Sequence, residues 1–180
     1  MPISTLDASP SPADAGLDLR TFFRGAAAST WVVTGTGPNG PVGFTAISIT
    51  SVSLDPPLVS FNISKESNSL GPIARSRRAA LHLLNGEQRA LAERFARDRT
   101  LRFIDDGVWS LDPHGLPVLH DVAARMVVDI VNLVDAGDSF IAVAAVRGAH
   151  AGTPAPLIHH AGDYHPVTTV TTTSTTTIGA

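Results

Sequence analysis

Cysteine is absent from this chain of 180 residues. That excludes disulfides, thiolate zinc sites, cysteine nucleophiles and iron–sulfur ligation, while leaving the compartment open. Long apolar runs are also missing: no stretch approaches the roughly 18 apolar residues a membrane span needs. Residues 1–16 (MPISTLDASPSPADAG) contain no apolar h-region of a signal peptide, so the expected location is the cytoplasm. The same segment is poor in bulky apolar groups and is expected to be disordered. Charge of one sign is not in excess either. A net charge of -3 gives no long-range pull toward nucleic acid or an anionic membrane. No nucleophile or catalytic triad stands out.

What remains is an ordinary folded domain. The hydrophobic fraction of 43% and charged fraction of 16% are those of a globule, not of a disordered chain. A core of this size buries roughly two thirds of the unfolded surface, so folding needs no metal staple. The expected domain covers 17–166, followed by a threonine-rich tail at 167–180 that carries no core-facing stripe. Basic residues bunch at Arg75, Arg77 and Arg78, and again at Arg94, Arg97 and Arg99. Such runs are usually a solvated helix face; the sharper reading is a landing site for a phosphate or dinucleotide.

Leu19, Phe22, Phe23 and Ala26 repeat at helical spacing behind Asp18, a plausible cap. Residues 31–34 and 42–48 read as a strand hairpin around the Gly35 to Pro41 turn, and 58–63 as a third strand behind Asp55-Pro56-Pro57. A short helix over 69–75, a strand over 80–84 and a clear helix over 87–97 follow, the last with Leu91 and Phe95 on one face. Residues 105–119 read as a loop anchored by Trp109. Residues 125–134 and 139–146 read as paired strands, and 157–160 as a last short one. Many short strands with few helices predict a mainly β, antiparallel barrel with peripheral helices.

The chemistry concentrates between Gly43 and Val59 (GFTAISITSVSLDPPLV). Small hydroxyl residues alternate there with Phe44, Ile47, Ile49, Val52 and Leu54, which predicts structured backbone with one buried side. The Pro56-Pro57 pair fixes its exit. A ledge of small side chains lets a flat heterocycle approach backbone N–H and C=O groups.

These residues resemble a known family. Gly43-Phe44-Thr45-Ala46, then Ser51-Val52-Ser53-Leu54-Asp55-Pro56-Pro57-Leu58, is similar to the signature of the flavin reductase-like, FMN-binding split-barrel proteins. Phe23-Arg24, Val32-Val33-Thr34, Ser67 to Ile73, Leu81 to Leu84, Gln88, Leu91-Ala92, Phe95-Ala96, Gly115 to Leu119 and Gly137-Asp138 continue the agreement in order. The resemblance implies an antiparallel split β-barrel and a homodimer that binds FMN or FAD between subunits. It implies an NADH- or NADPH-dependent flavin reductase serving a partner flavin-dependent monooxygenase. On that resemblance Thr45, Ala46 and Ser48 line the flavin, Ser51, Val52 and Ser53 hold it, and Lys65, Ser67 and Ser69 meet its phosphate. The alternative is an electron-carrier protein that holds FMN tightly.

Three places depart from the family. Ser139 follows Gly137-Asp138 where the family commonly has histidine. His82 stands where asparagine is common, either as a replacement active-site group or as a satisfied strand histidine. The connection from Arg24 to Val32 is about four residues shorter than usual. Ser139 and His82 are therefore the candidate catalytic residues. His159 and Tyr164 are candidate lid or stacking groups over the flavin. His159 and His160 are adjacent on a strand and point to opposite faces, so no metal site is expected of them with Asp163 and His165.

Overall fold

The computed structural model describes residues 18–152 and 154–168. The segment at 1–16 expected to be disordered lies outside the described residues, as does most of the threonine-rich tail. Helix α1 (Leu19–Arg24) begins at the expected cap: the Asp18 carboxylate accepts the N–H groups of Arg20 and Thr21 at 3.1 and 3.3 Å. None of its side chains is buried. No described helix is long and apolar enough to cross a membrane.

Strand β1 (Ala28–Ser29) leads to β2 (Trp31–Gly37) and β3 (Gly40–Ala46). The turn expected over 35–41 shrinks to Pro38-Asn39, because Gly35 pairs with Val42 and Gly37 with Gly40. The glycines that mark a turn by composition, Gly35, Gly37 and Gly40, instead extend the ladder. Strands β4 (Thr50–Leu54) and β5 (Pro57–Ser64) form a second hairpin. Asp55-Pro56-Pro57 is expected to break the ladder, yet Leu54 pairs with Pro57 directly across Asp55-Pro56. Pro57 is the first strand residue, where a missing N–H is tolerated.

Next come α2 (Leu70–Ser76), β6 (Arg78–Leu83) and α3 (Arg89–Ala96). The expected loop over 105–119 contains a small hairpin, β7 (Trp109–Leu111) with β8 (Pro117–Leu119). The paired strands β9 (Ala124–Ala136) and β10 (Ser139–Ala151) are longer than expected and meet through a tight Gly137-Asp138 turn. Strand β11 (Leu157–His160) gains a partner, β12 (Asp163–Pro166), and pairs on its other side with β1.

The main sheet runs β3-β2-β6-β9-β10-β5-β4, every pairing antiparallel. Val33, Ala46, Phe61, Leu81, Val128 and Ala142, from six of its seven strands, meet in one buried cluster. A sheet whose strands from both halves share one core has curled around its own inner face, giving the split barrel the sequence predicts. Strand β2 is buried on both sides. Val33 enters the barrel, while Val32 packs outward with Leu84, Phe95 and Leu157 under α3, which accounts for two adjacent valines in this strand.

His82 is part of this packing. Its ring is 0% exposed and bridges two elements: Nδ1 lies 3.1 Å from the Val32 carbonyl oxygen, and Nε2 accepts the Leu119 N–H at 3.2 Å. A carbonyl only accepts and an amide N–H only donates, so these partners fix the neutral Nδ1–H tautomer. Burial pushes its pKa down from 6.5 to about 3, against the Val32 hydrogen bond and with help from Arg125. His82 is thus a pin holding β6, β2 and β8 together rather than a group in an open site. Between pH 6.5 and 3 the unfolded chain binds a proton that the folded chain refuses, so stability falls as pH drops through that window. We expect His82→Ala to lose about 2–4 kcal/mol at neutral pH and to flatten the acid side of the melting-temperature profile relative to wild type. Identical pH profiles for the two proteins would show that the ring titrates freely.

Candidate functional site

Strand β3 is outermost on its side of the sheet, and α3 with the loop after it lies against this strand. Gly43 permits the approach. A Cβ there would stand 2.8 Å from the Val33 carbonyl oxygen, 3.0 Å from the Phe95 ring and 3.2 Å from that of Phe103. Two residues on, the Thr45 hydroxyl donates to the Ala92 carbonyl at 2.6 Å. Arg102 completes the docking by donating from Nη1 to the Gly43 carbonyl at 2.7 Å.

Arg102 is electrostatically exposed to an unmet demand. Its Nε is buried with no hydrogen-bond partner. Burial, then the charge of Arg99, pulls its guanidinium below the ordinary arginine range, with only Asp98 opposing. Among the described residues none of Arg97, Arg99 and Arg102 forms an ion pair. Asp98 directs its carboxylate to the Thr100 N–H and hydroxyl at 2.8 and 2.7 Å. An anion arriving here meets three cations and relieves their mutual repulsion.

The facing wall is the loop between β5 and α2. The Ser67 N–H is held by the Ser64 carbonyl at 3.0 Å, and the Ser67 hydroxyl oxygen accepts the Ser69 N–H at 3.3 Å. That leaves the hydroxyl hydrogen of Ser67 to donate. Between the walls runs a groove of about 530 Å³ lined by Phe44, Ser67, Asn68 and the three arginines, with Glu66 and Asp98 also on its surface. It continues into a space of about 290 Å³ beside Gly43, Ser69 and Phe103. Neutral hydroxyl donors opposite forked guanidinium donors suit a phosphate monoester.

A second cleft, of about 460 Å³, opens between α1 and the β11–β12 turn, lined by Arg20, Phe23, Arg24, Ile47, His159 and Gly162. Arg24 joins its walls, accepting the Ala161 N–H on its own carbonyl at 2.8 Å and donating from Nε to the Ala161 carbonyl at 3.2 Å. The His159 ring meets Tyr164 edge-on, centroids 5.2 Å apart, whereas His160 sits beside His165. Tyr164 is half-buried, and burial raises its hydroxyl pKa.

The remaining candidates separate. Ala46 faces the barrel core. Ser48 accepts the Asn62 N–H at 3.1 Å, tying the β3–β4 connection to β5. Ser51 and Val52 are exposed and Ser53 is half-buried. The buried side expected for 43–59 forms only in part: Phe44 and Ile49 pack on the core with Ala46, whereas Ile47, Val52 and Leu54 are 45%, 51% and 89% exposed, the last two on β4 at the edge of the sheet. Lys65 turns from the groove to Asp135, 2.8 Å away, with Phe140 beneath its ammonium. Ser139 pairs with Ser64 at the tip of the β9–β10 hairpin and donates its hydroxyl to Asp138 at 2.9 Å. Of the two arginine runs, Arg94 is neutralised by Asp106 at 2.6 Å, while Arg97 and Arg99 reach the groove. Sequence reasoning missed Arg102 and Asn68. Arg102 meets Gly43 across 59 residues of chain, a contact that no local spacing encodes.

Comparison with known proteins agrees with this architecture. Residues 23–168 match the family described as Flavin reductase like domain. An NADH:FMN oxidoreductase of Rhodococcus qingshengii is 40% identical over 153 residues, covering 82% of this chain and 80% of that protein. The reductase component of the flavin-dependent trigonelline monooxygenase of Acinetobacter baylyi is 33% identical over 148 residues, covering 82% of this chain and 47% of that protein. The solved structure of a Streptomyces globisporus NADH:FAD oxidoreductase with NAD and FAD fragments superposes with a TM-score of 0.77 at 29% identity, covering 83% of this chain and 91% of that one. With this match spanning nearly the whole described chain, the protein belongs to the flavin reductase-like family.

Proposed function

We propose that this chain is an NAD(P)H-dependent flavin reductase. It takes FMN or FAD and a nicotinamide nucleotide, and it supplies reduced flavin to a separate flavin-dependent monooxygenase. The observation that carries the reading is the partly buried guanidinium of Arg102, with no ion pair among the described residues, in one groove with Ser67 and Ser69, a donor set that fits the phosphate end of a flavin. When bound, the flavin supplies the redox chemistry, accepting a hydride from the nicotinamide.

The chain's own residues then bind and orient. Arg99 and Arg102, with Ser67 and Ser69, hold the phosphate in this reading, and Lys65 acts indirectly by fixing the loop to Asp135. Thr45 and Ala46 contribute backbone groups, since the hydroxyl of one is engaged by Ala92 and the methyl of the other lies in the core. Ser48, Ser51, Val52 and Ser53 offer the small side chains and open backbone on which the ring rests. His159, with Tyr164 behind it, covers the ring from the second cleft. Ser139, its proton committed to Asp138, contributes position and no acid–base step, which hydride transfer does not demand of the protein.

A homodimer completes this picture. Phe22 and Phe23 are 75% and 62% exposed and Leu54 is 89% exposed, and Phe23 shares the second cleft with Ile47. An apolar surface of this kind is covered by a second copy in our reading, which also closes the open face beside β4. The proposed compartment is the cytoplasm, where reduced nicotinamide nucleotides are at hand.

Purified protein with FMN should oxidise NADH, read as loss of nicotinamide absorbance; a protein that retains flavin without turnover would indicate an electron carrier instead. Arg102→Ala should weaken FMN and FAD alike by roughly tenfold or more, as expected for a lost charged hydrogen bond, measured by quenching of flavin fluorescence. Phe22→Asp should move the protein from dimer to monomer in sedimentation velocity. A wild-type chain already monomeric at tens of micromolar removes the dimer from the proposal.

A further inference from the structure

The basic groove does not end at the proposed phosphate seat. Beyond Ser69 and Arg99 it opens into an extension of about 350 Å³ that shares Asn68 and Arg99 with the groove and reaches the Pro38-Asn39 turn, Pro72 and Arg75. No carboxylate lines it, and Arg75 forms no ion pair among the described residues. Two glycines shape it. At Gly37 a Cβ would stand 3.1 Å from Pro72, so the turn packs closely on the start of α2. At Gly71 a Cβ would stand 3.2 Å from Nη1 of Arg75, so the guanidinium folds back along α2 toward the extension.

The lining is chemically specific. Pro38, Pro41 and Pro72 line it with aliphatic rings against which a purine can pack, and the Asn39 and Asn68 amides offer both donors and acceptors to its edge. Arg75 and Arg99 provide charge for a second phosphate adjoining the first. FMN has only one phosphate and cannot fill this space.

We infer that the extension is a subsite for the adenosine-phosphate end of a flavin dinucleotide, and that Arg75 lets this chain distinguish FAD from FMN. The inference rests on the flavin reading above and names the ligand class of the same groove. Arg75 lines only the extension, whereas Arg99 lines the groove as well, so Arg75 is the residue that separates the two flavins.

The test titrates the full chain with FAD and with FMN, following flavin fluorescence, in wild type, Arg75→Ala and Arg75→Lys. Arg75→Ala should raise the Kd for FAD by about tenfold while leaving that for FMN within about twofold. Arg75→Lys should recover part of the loss, because the charge returns without the fork. Equal shifts for the two flavins, or none for FAD, overturn the inference while leaving the reductase assignment standing. Failure of wild type to bind either flavin overturns that assignment itself, and the subsite with it. The adenosine phosphate of the nicotinamide substrate has the same chemistry, so the KM for NADH is measured with FMN as acceptor. It should not change in Arg75→Ala. A higher KM with unaltered FAD affinity reassigns the extension to the nicotinamide nucleotide and refutes the flavin-dinucleotide subsite.

Discussion

The missing side chain of Gly43 is the constraint on which the candidate site depends. With no Cβ to meet the Val33 carbonyl and the Phe95 and Phe103 rings, α3 and its trailing loop settle directly on β3. Two hydrogen bonds then fix the seating, from Thr45 to Ala92 and from Arg102 to Gly43 itself. The second has an electrostatic consequence. A guanidinium drawn onto a backbone carbonyl loses water and gains only a partial charge in return, so its demand for an anion persists. The packing of one strand thereby sets the chemistry of the groove beside it.

Charge is distributed around the molecule in a way that sharpens this effect. Arg89, Arg94, Arg147 and Lys65 each have a carboxylate partner, and all of these pairs lie away from the groove. Exposed pairs of this kind contribute little stability, but they neutralise the surrounding surface. Arg97, Arg99 and Arg102 differ from the other arginines in converging on one groove, although the net charge of the chain is -3. Local concentration of positive charge, rather than overall balance, is what would favour a phosphorylated ligand in the proposed site.

The open edge at β4 is the other organising feature. The strand carrying Ser51, Val52 and Ser53 has a neighbour on one side only, and its apolar residues face outward together with those of α1. Edge strands left in this state are uncommon in isolated domains, which blunt or cover them. The proposed interface between two copies would cover the exposed strand, the exposed helix and the open second cleft at once. In that proposal each chain would supply the basic groove intact and share the surface beside β4.

Periodicity and turn chemistry determined most of the elements and, with the Ser51 to Pro57 signature, the family. Local rules suffice where a residue's partner lies within a few positions, as with the Asp18 cap, the Leu91–Phe95 face and the Gly137-Asp138 turn. They failed where burial is set from a distance. The alternation of hydroxyl and apolar residues over 43–59 looks half-buried, but whether β4 has a neighbour is decided by sheet order. In the sequence His82 reads equally as an active-site group or a core residue; the fold decides, because Val32 and Leu119 hold both its nitrogens. Lys65, expected at the phosphate, and Arg102, for which the sequence suggests no role, differ from their reading for the same reason: a side chain's charge is written in the sequence, but its partner is chosen only when the chain folds and brings Asp135 to one and Gly43 to the other.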